Sequence, residues 1–159
     1  MYSLYAILGR TDDLEPKPRS FDNARCVRLG GALSMVPLSE PLVSEIDEAS
    51  GGSGGGNGVE AFEFLSPGVE AWARALSIDT AIAYVETEYF AGEGFERAGV
   101  WSHGKLTLGP LEGAGSINTV LRALGVQPPP GIEEFELVGL GRHRSLEEWL
   151  QEDGGPYAM

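Results

Sequence analysis

Glu86 and Glu88 stand two residues apart in a run, Thr80 to Phe90, that alternates as a β-strand does. Their side chains therefore point to the same side of the chain. Glu93 and Glu96 follow across a short Ala91-Gly92-Glu93-Gly94 turn, so four carboxylates are expected to gather at one end of a hairpin. Such a group can hold a divalent cation, or act as an acid and base pair, because like charges held close shift each other's pKa. It can also serve recognition. Tyr84, Glu86, Glu88 and Phe90 share one face, and aromatics beside acids suit a basic protein partner. The plainest reading is the solvent side of an antiparallel sheet, which normally alternates apolar and polar residues. The expected partner-binding set is Tyr84, Glu86, Glu88, Phe90, Glu93 and Glu96.

Three other places invite chemistry. Arg142, His143 and Arg144 lie between a strand-like run and a helix start, where free amides already favour negative charge, and they form a candidate anion site. The many carboxylates of the chain compete for the same arginines. His103 precedes Gly104 in a turn, and with only two histidines no multi-histidine metal site can form. Cys26 sits between Arg25 and Arg28, which would lower its pKa if it were exposed. A lone cysteine is more often buried and inert. The chain has no Gly-x-Ser-x-Gly, His-Glu-x-x-His, P-loop or dinucleotide fingerprint, so no catalytic residue is assigned and no cofactor is expected. The sequence leaves metal binding undecided.

The charge balance narrows the classes of partner. Of 159 residues 24 are Asp or Glu and 11 are Lys or Arg, a net charge of −13. Phosphates would be repelled, so nucleic acid and anionic membrane surfaces are not expected partners. Residues 1–58, 59–100 and 101–159 carry eight acids each, but five, two and four bases. The middle third is therefore the most negative. A single cysteine excludes an internal disulfide framework. No apolar run reaches the ~20 residues of a membrane span. The N-terminus lacks the basic and apolar regions of a secretory signal, so a cytoplasmic location is expected.

The elements that must position these residues follow from periodicity and punctuation. Tyr2–Leu8, Arg25–Leu29 and Ala32–Leu38 read as strands, the last an edge strand or one ending at Pro37. Thr11–Ser20 reads as a loop, and Ser39–Ala49 as a helix capped by Ser39 with Pro41 in its first turn. Ser50–Gly58 holds six glycines in nine residues and reads as a flexible loop, since no Lys-Ser/Thr follows to make a phosphate cradle. Val59–Leu65 is expected as a strand, and Ser66-Pro67 opens a helix with Val69, Trp72, Ala73 and Leu76 on one stripe. Thr80–Phe90, Phe95–Ser102 and Lys105–Leu108 form a three-stranded antiparallel meander. Ser116 is expected to cap a helix ending at Gly125, Phe135–Leu140 to be a strand, and Ser145 to open a short helix with a capping box to Glu148. The class is α+β: a mostly antiparallel sheet with two to four helices packed on it, in one domain over residues 1–159. Trp72, Ile82, Val85, Val100, Leu106, Val120, Leu121 and Leu124 are expected in the core.

Glu86-Thr-Glu-Tyr-Phe-Ala-Gly-Glu-Gly94 running on to Trp101, and Gly139-Leu-Gly-Arg-His-Arg-Ser145 with Trp149, resemble a widespread group of small, uncharacterised bacterial proteins over roughly residues 80–150. Some of that group look like immunity partners of bacterial toxins. The resemblance implies a bacterial cytosolic protein and carries over no catalytic residue. Two functions follow as expectations. The first is a non-catalytic module that binds a basic protein partner, an immunity-type partner of a basic toxin being the concrete form. The second is a metal-assisted hydrolase or small-molecule-binding enzyme that uses the hairpin carboxylates, with His103 as an additional candidate.

Overall fold

A computed structural model describes residues 1–17, 21–50 and 61–152. They share one six-stranded, wholly antiparallel sheet. The strands are β1 (Tyr2–Arg10), β2 (Val27–Arg28), β3 (Leu33–Pro37), β4 (Ile82–Phe90), β5 (Glu93–Ser102) and β6 (Lys105–Glu112), in the spatial order β2-β3-β1-β4-β5-β6. β1 pairs with both β3 and β4, and so ties residues 1–49 to the meander. The α+β class and the β4-β5-β6 meander are as expected. β3 ends at Pro37, but it is an inner strand, and the edge is the two-residue β2.

Helices pack on both faces of the sheet, which makes three layers. One face carries α2 (Glu40–Ala49) and α3 (Pro67–Leu76), which bury Leu42, Ile46, Val69, Trp72, Ala73 and Leu76 against Ile7, Val36, Ile82, Tyr84 and Trp101. The other carries α4 (Ser116–Ala123), α5 (Glu134–Val138) and α6 (Leu146–Leu150). These bury Ile117, Val120, Leu121, Val138 and Trp149 on Leu4, Ala6, Leu8, Ala83, Val85 and Val100. Full burial of one such side chain is worth roughly 1.5–3 kcal/mol, so both faces contribute to the stability of the sheet between them. Of the expected core residues only Leu106 is half-buried rather than buried.

The caps explain where helices begin. Ser39 Oγ accepts from the Leu42 amide and Ser66 Oγ from the Val69 amide, each with proline in the first turn. Ser145 Oγ accepts from the Glu148 amide, while the Glu148 carboxylate returns to the Arg144 amide and the Ser145 hydroxyl. Gly125, with φ of 100°, follows the last turn of α4.

Five expectations are corrected. Thr11–Leu14, placed in a loop, is a single turn of helix, α1, with Asp12 and Asp13 in its first turn where acids suit the free amides. The described part of the expected Val59–Leu65 strand, residues 61–65, has no ladder, because the Glu63 and Phe64 amides donate instead to the Glu86 carboxylate. Phe135–Leu140 is not a strand: Glu134–Val138 form α5, closed by Gly139 at φ 82°. The N-cap of α4 is Gly115, and Ser116 is its first helical residue, its hydroxyl donating to the Gly113 carbonyl. β6 continues to Glu112 rather than stopping at Leu108. Of the Gly-rich stretch expected over 50–58, all but Ser50 lies outside the described residues.

Candidate functional site

The β4–β5 hairpin positions most of the chemistry-bearing residues, and its register sorts them by face. Glu86 lies opposite Arg97, Glu88 opposite Phe95 and Phe90 opposite Glu93, while Thr87 lies opposite Glu96. Directly opposed residues share a face. Glu96 therefore points away from Glu86, Glu88 and Glu93. The expected gathering of four carboxylates does not occur. Among the described residues no three His, Cys, Asp or Glu side chains come together as metal ligands. His103 is exposed at the opposite end of β5, in the turn to β6.

Glu86 is fully buried. Its carboxylate accepts from the Glu63 amide at 2.9 Å, the Phe64 amide at 3.0 Å and the Tyr84 hydroxyl at 2.7 Å, and it pairs with Arg97 Nη1 at 3.0 Å. A buried carboxylate holding four donors is satisfied, which is the condition under which a buried charge is tolerated. Burial, then the charge and hydrogen bond of Glu86, push the Tyr84 phenol far above its ordinary range. Tyr84 is fully buried as well. Neither residue lies on the surface. They clamp residues 63 and 64 onto the sheet.

Beyond that clamp the same face is uncovered. Phe90 is 68% exposed and Phe64 45%. Phe64 stacks on Phe95 with centroids 6.1 Å apart and leans on Tyr5 at 4.9 Å, and Arg97 lies over the Phe95 ring at 4.3 Å. Around these rings stand Glu63, Glu88, Glu93 and Glu112. Among the described residues the patch holds one base, Arg97, whose side chain is only 18% exposed and lies 3.0–3.9 Å from Glu86, Glu63 and Glu112. A Cβ at Gly94 would strike the Glu88 carbonyl, so glycine is needed for the hairpin to close as tightly as it does.

The opposite face of the hairpin holds a cleft of about 330 Å³. Tyr2 and Tyr89, paired directly across β1 and β4, form one wall and Phe135 of α5 another, its ring 5.9 Å from that of Tyr2. Glu96 lines it and accepts from the Tyr89 hydroxyl at 2.8 Å and the Ile117 amide of α4 at 3.2 Å. Asn118 accepts from the Phe135 amide at 2.8 Å and donates to Glu133 at 3.3 Å. Burial, then the hydrogen bond and charge of Glu96, push the Tyr89 phenol up to about 12. Burial and the same charge raise Tyr2, whose hydroxyl donates to the Leu140 carbonyl at 2.7 Å.

No family model, no curated protein and no solved structure matches this chain. What its residues do must be argued from where they stand.

Arg142, His143 and Arg144 are placed as expected between elements, but Glu152 sits in the seat. Arg142 grips both its oxygens, at 3.0 and 2.6 Å, and His143 Nε2 lies 2.6 Å from one of them. Arg142 also donates to the Arg28 carbonyl and lies 5.1 Å over Trp149. The cluster fastens the chain after α6 to the sheet edge. Cys26 is fully buried, and burial first, with the charge of Glu15, pushes its thiol up to about 12. Arg28 lowers it only slightly, its guanidinium being turned to Glu15 in a two-pronged pair. Sequence reasoning missed Tyr2, Phe135, Asn118 and Glu133. They come from distant parts of the chain, and a signal for them required the β1–β4 register.

Proposed function

We propose that the protein is a binding module for a basic protein partner, and that the contact is the uncovered aromatic patch at the end of the β4–β5 hairpin. The observation that carries this reading is the pairing of exposed Phe90 and Phe64 with Glu63, Glu88, Glu93 and Glu112 on one sheet face. Exposed aromatics supply the buried centre that hot spots favour, and a rim of one sign selects a partner of the other and speeds its approach. The net charge of −13 acts over longer range in the same direction. Inhibition of a basic toxin is the most concrete form of such a role. Glu88, Phe90 and Glu93 belong to the contact. Tyr84 and Glu86 support it from beneath.

The test is association with an array of Lys- and Arg-rich peptides bearing one aromatic or aliphatic anchor, followed at low and high salt. The wild type is expected to bind a subset, with an on-rate that falls as salt rises. The double variant Glu88→Gln, Phe90→Ala should lose that binding. Equal binding by wild type and double variant at both salt levels removes the patch from the interface, and no binding by any basic peptide removes the reading.

A further inference from the structure

We propose that the cleft bounded by Tyr2, Tyr89 and Phe135 is a binding site for a small organic cation, one carrying an ammonium or guanidinium group. The site lies on the other side of the hairpin from the aromatic patch and stands independently of it. Its volume of about 330 Å³ is that of a small-molecule pocket rather than a packing gap. Three aromatic rings line it, and their negative faces attract a cation held within about 6 Å. Among the described residues the charged groups lining it are Glu96 and Glu133, both acidic. Among the described residues neither carboxylate is within ion-pair distance of a Lys, Arg or His, in contrast to Glu86 with Arg97.

An anion fits less well. Among the described residues no Lys, Arg or His lines the cleft itself, Met1 and Arg144 standing at an adjoining hollow that shares Tyr2 and Tyr89. The first-turn amides of α4 and α5 are occupied: Ile117 donates to Glu96, and Phe135 donates to Asn118. A neutral apolar ligand would desolvate Glu96 without replacing its stabilisation, and a neutral hydroxyl could donate to it but would bring no opposite charge. A bare metal ion would find two carboxylates where it needs more ligands, beside aromatic rings that cannot coordinate it. An organic cation uses the whole wall. Its charge meets Glu96 and Glu133, whose oxygens retain free acceptor capacity, and its apolar body rests on Tyr2, Tyr89 and Phe135.

Three compounds on one carbon skeleton test the sign of the charge: phenethylammonium, phenethyl alcohol and phenylacetate, with agmatine as the guanidinium probe. In thermal-shift and calorimetric titrations phenethylammonium or agmatine should raise the Tm progressively, as the logarithm of its concentration once that exceeds the Kd, and the alcohol and the acid should not. Glu133→Gln, at an exposed position outside the core, should weaken the cation by about tenfold, the effect of losing one charge-assisted contact. Tyr89→Phe should leave binding within a few-fold, and Tyr89→Leu should abolish it. The proposal is overturned if neither cation raises the Tm, if the alcohol or the acid binds as well as the cation, or if Glu133→Gln binds like wild type.

Discussion

Glu86 and Glu96 occupy the two strands of one hairpin, one register position apart, and lead opposite lives. Glu86 faces the side where Arg97, Tyr84 and two amides converge, and it is sealed. Glu96 faces the side where a phenol and one helix amide approach it, and the rest of its carboxylate looks into a cleft. The difference lies in the neighbours. A cation opposite and a loop above convert a carboxylate into a fastening, while a partly covered carboxylate without a cation keeps its capacity for a ligand.

Glu86→Ala should show the largest effect. It leaves Arg97, the Tyr84 hydroxyl and the Glu63 and Phe64 amides without their common acceptor, and breaking a buried pair in this way costs about 3–5 kcal/mol. Urea unfolding followed by tryptophan fluorescence reads it. Glu63 and Glu112 stand 3.6 and 3.9 Å from Arg97, so part of the loss can be recovered by a shift of that side chain. A loss below about 1 kcal/mol, the ordinary range for exposed pairs, would make Glu86 no more than a surface ion and erase the contrast.

Glu96→Gln should cost less, about 1 kcal/mol, since it removes an anion at the α4 N-terminus but leaves an amide oxygen for the Ile117 amide and an NH2 to which the Tyr89 hydroxyl can turn as acceptor. Its pH signature is more specific. The Tyr89 phenol is raised in the fold from its ordinary value of 10.0 to about 12. A group raised in this way binds its proton more tightly folded than unfolded, so its stabilisation is complete below pH 10 and is lost as pH rises through 12. The fall in stability between those values, measured as the difference between wild type and Tyr89→Phe, should shrink in Glu96→Gln. An unchanged difference would mean that burial alone, without the carboxylate, holds the phenol protonated.

Much of the scaffold was legible in the chain. The β4–β6 meander has long alternation and two tight turns, Ala91-Gly92 and His103-Gly104, and α2 and α3 each open on serine followed by proline. Alternation states which residues share a face. It does not state which part of that face is covered. Glu86 and Glu88 are equivalent by pattern, yet residues 63 and 64 fold over Glu86 because its carboxylate captures their amides. The same capture is why an expected strand there is absent. At α5 the run Glu134–Val138 is too short for its period to tell helix from strand, and the decision falls to Asn118 at its start and Gly139 at its end. The cleft needed the pairing of Tyr2 with Tyr89, which joins the first strand to the fourth.

The smallest effect on stability should come from Phe90→Ala, and it sharpens the comparison most. Phe90 is 68% exposed at the strand end, so its removal should change unfolding free energy by no more than about 0.5 kcal/mol. The ring nonetheless stands on the same face as Glu86, diagonal to Phe95 across the hairpin and beside Glu88 and Glu93. If that face is divided into a fastening below and a contact surface at the end, Phe90→Ala leaves the urea midpoint unchanged and weakens capture of basic, aromatic-anchored peptides by tenfold or more, as loss of a hot-spot ring does (about 2 kcal/mol). Glu86→Ala in the same assay should lose affinity only in step with its loss of folded protein. Should Phe90→Ala destabilise the fold and leave peptide capture intact, the division is reversed: the exposed ring belongs to packing, and recognition must be sought on the cleft side, at Glu96.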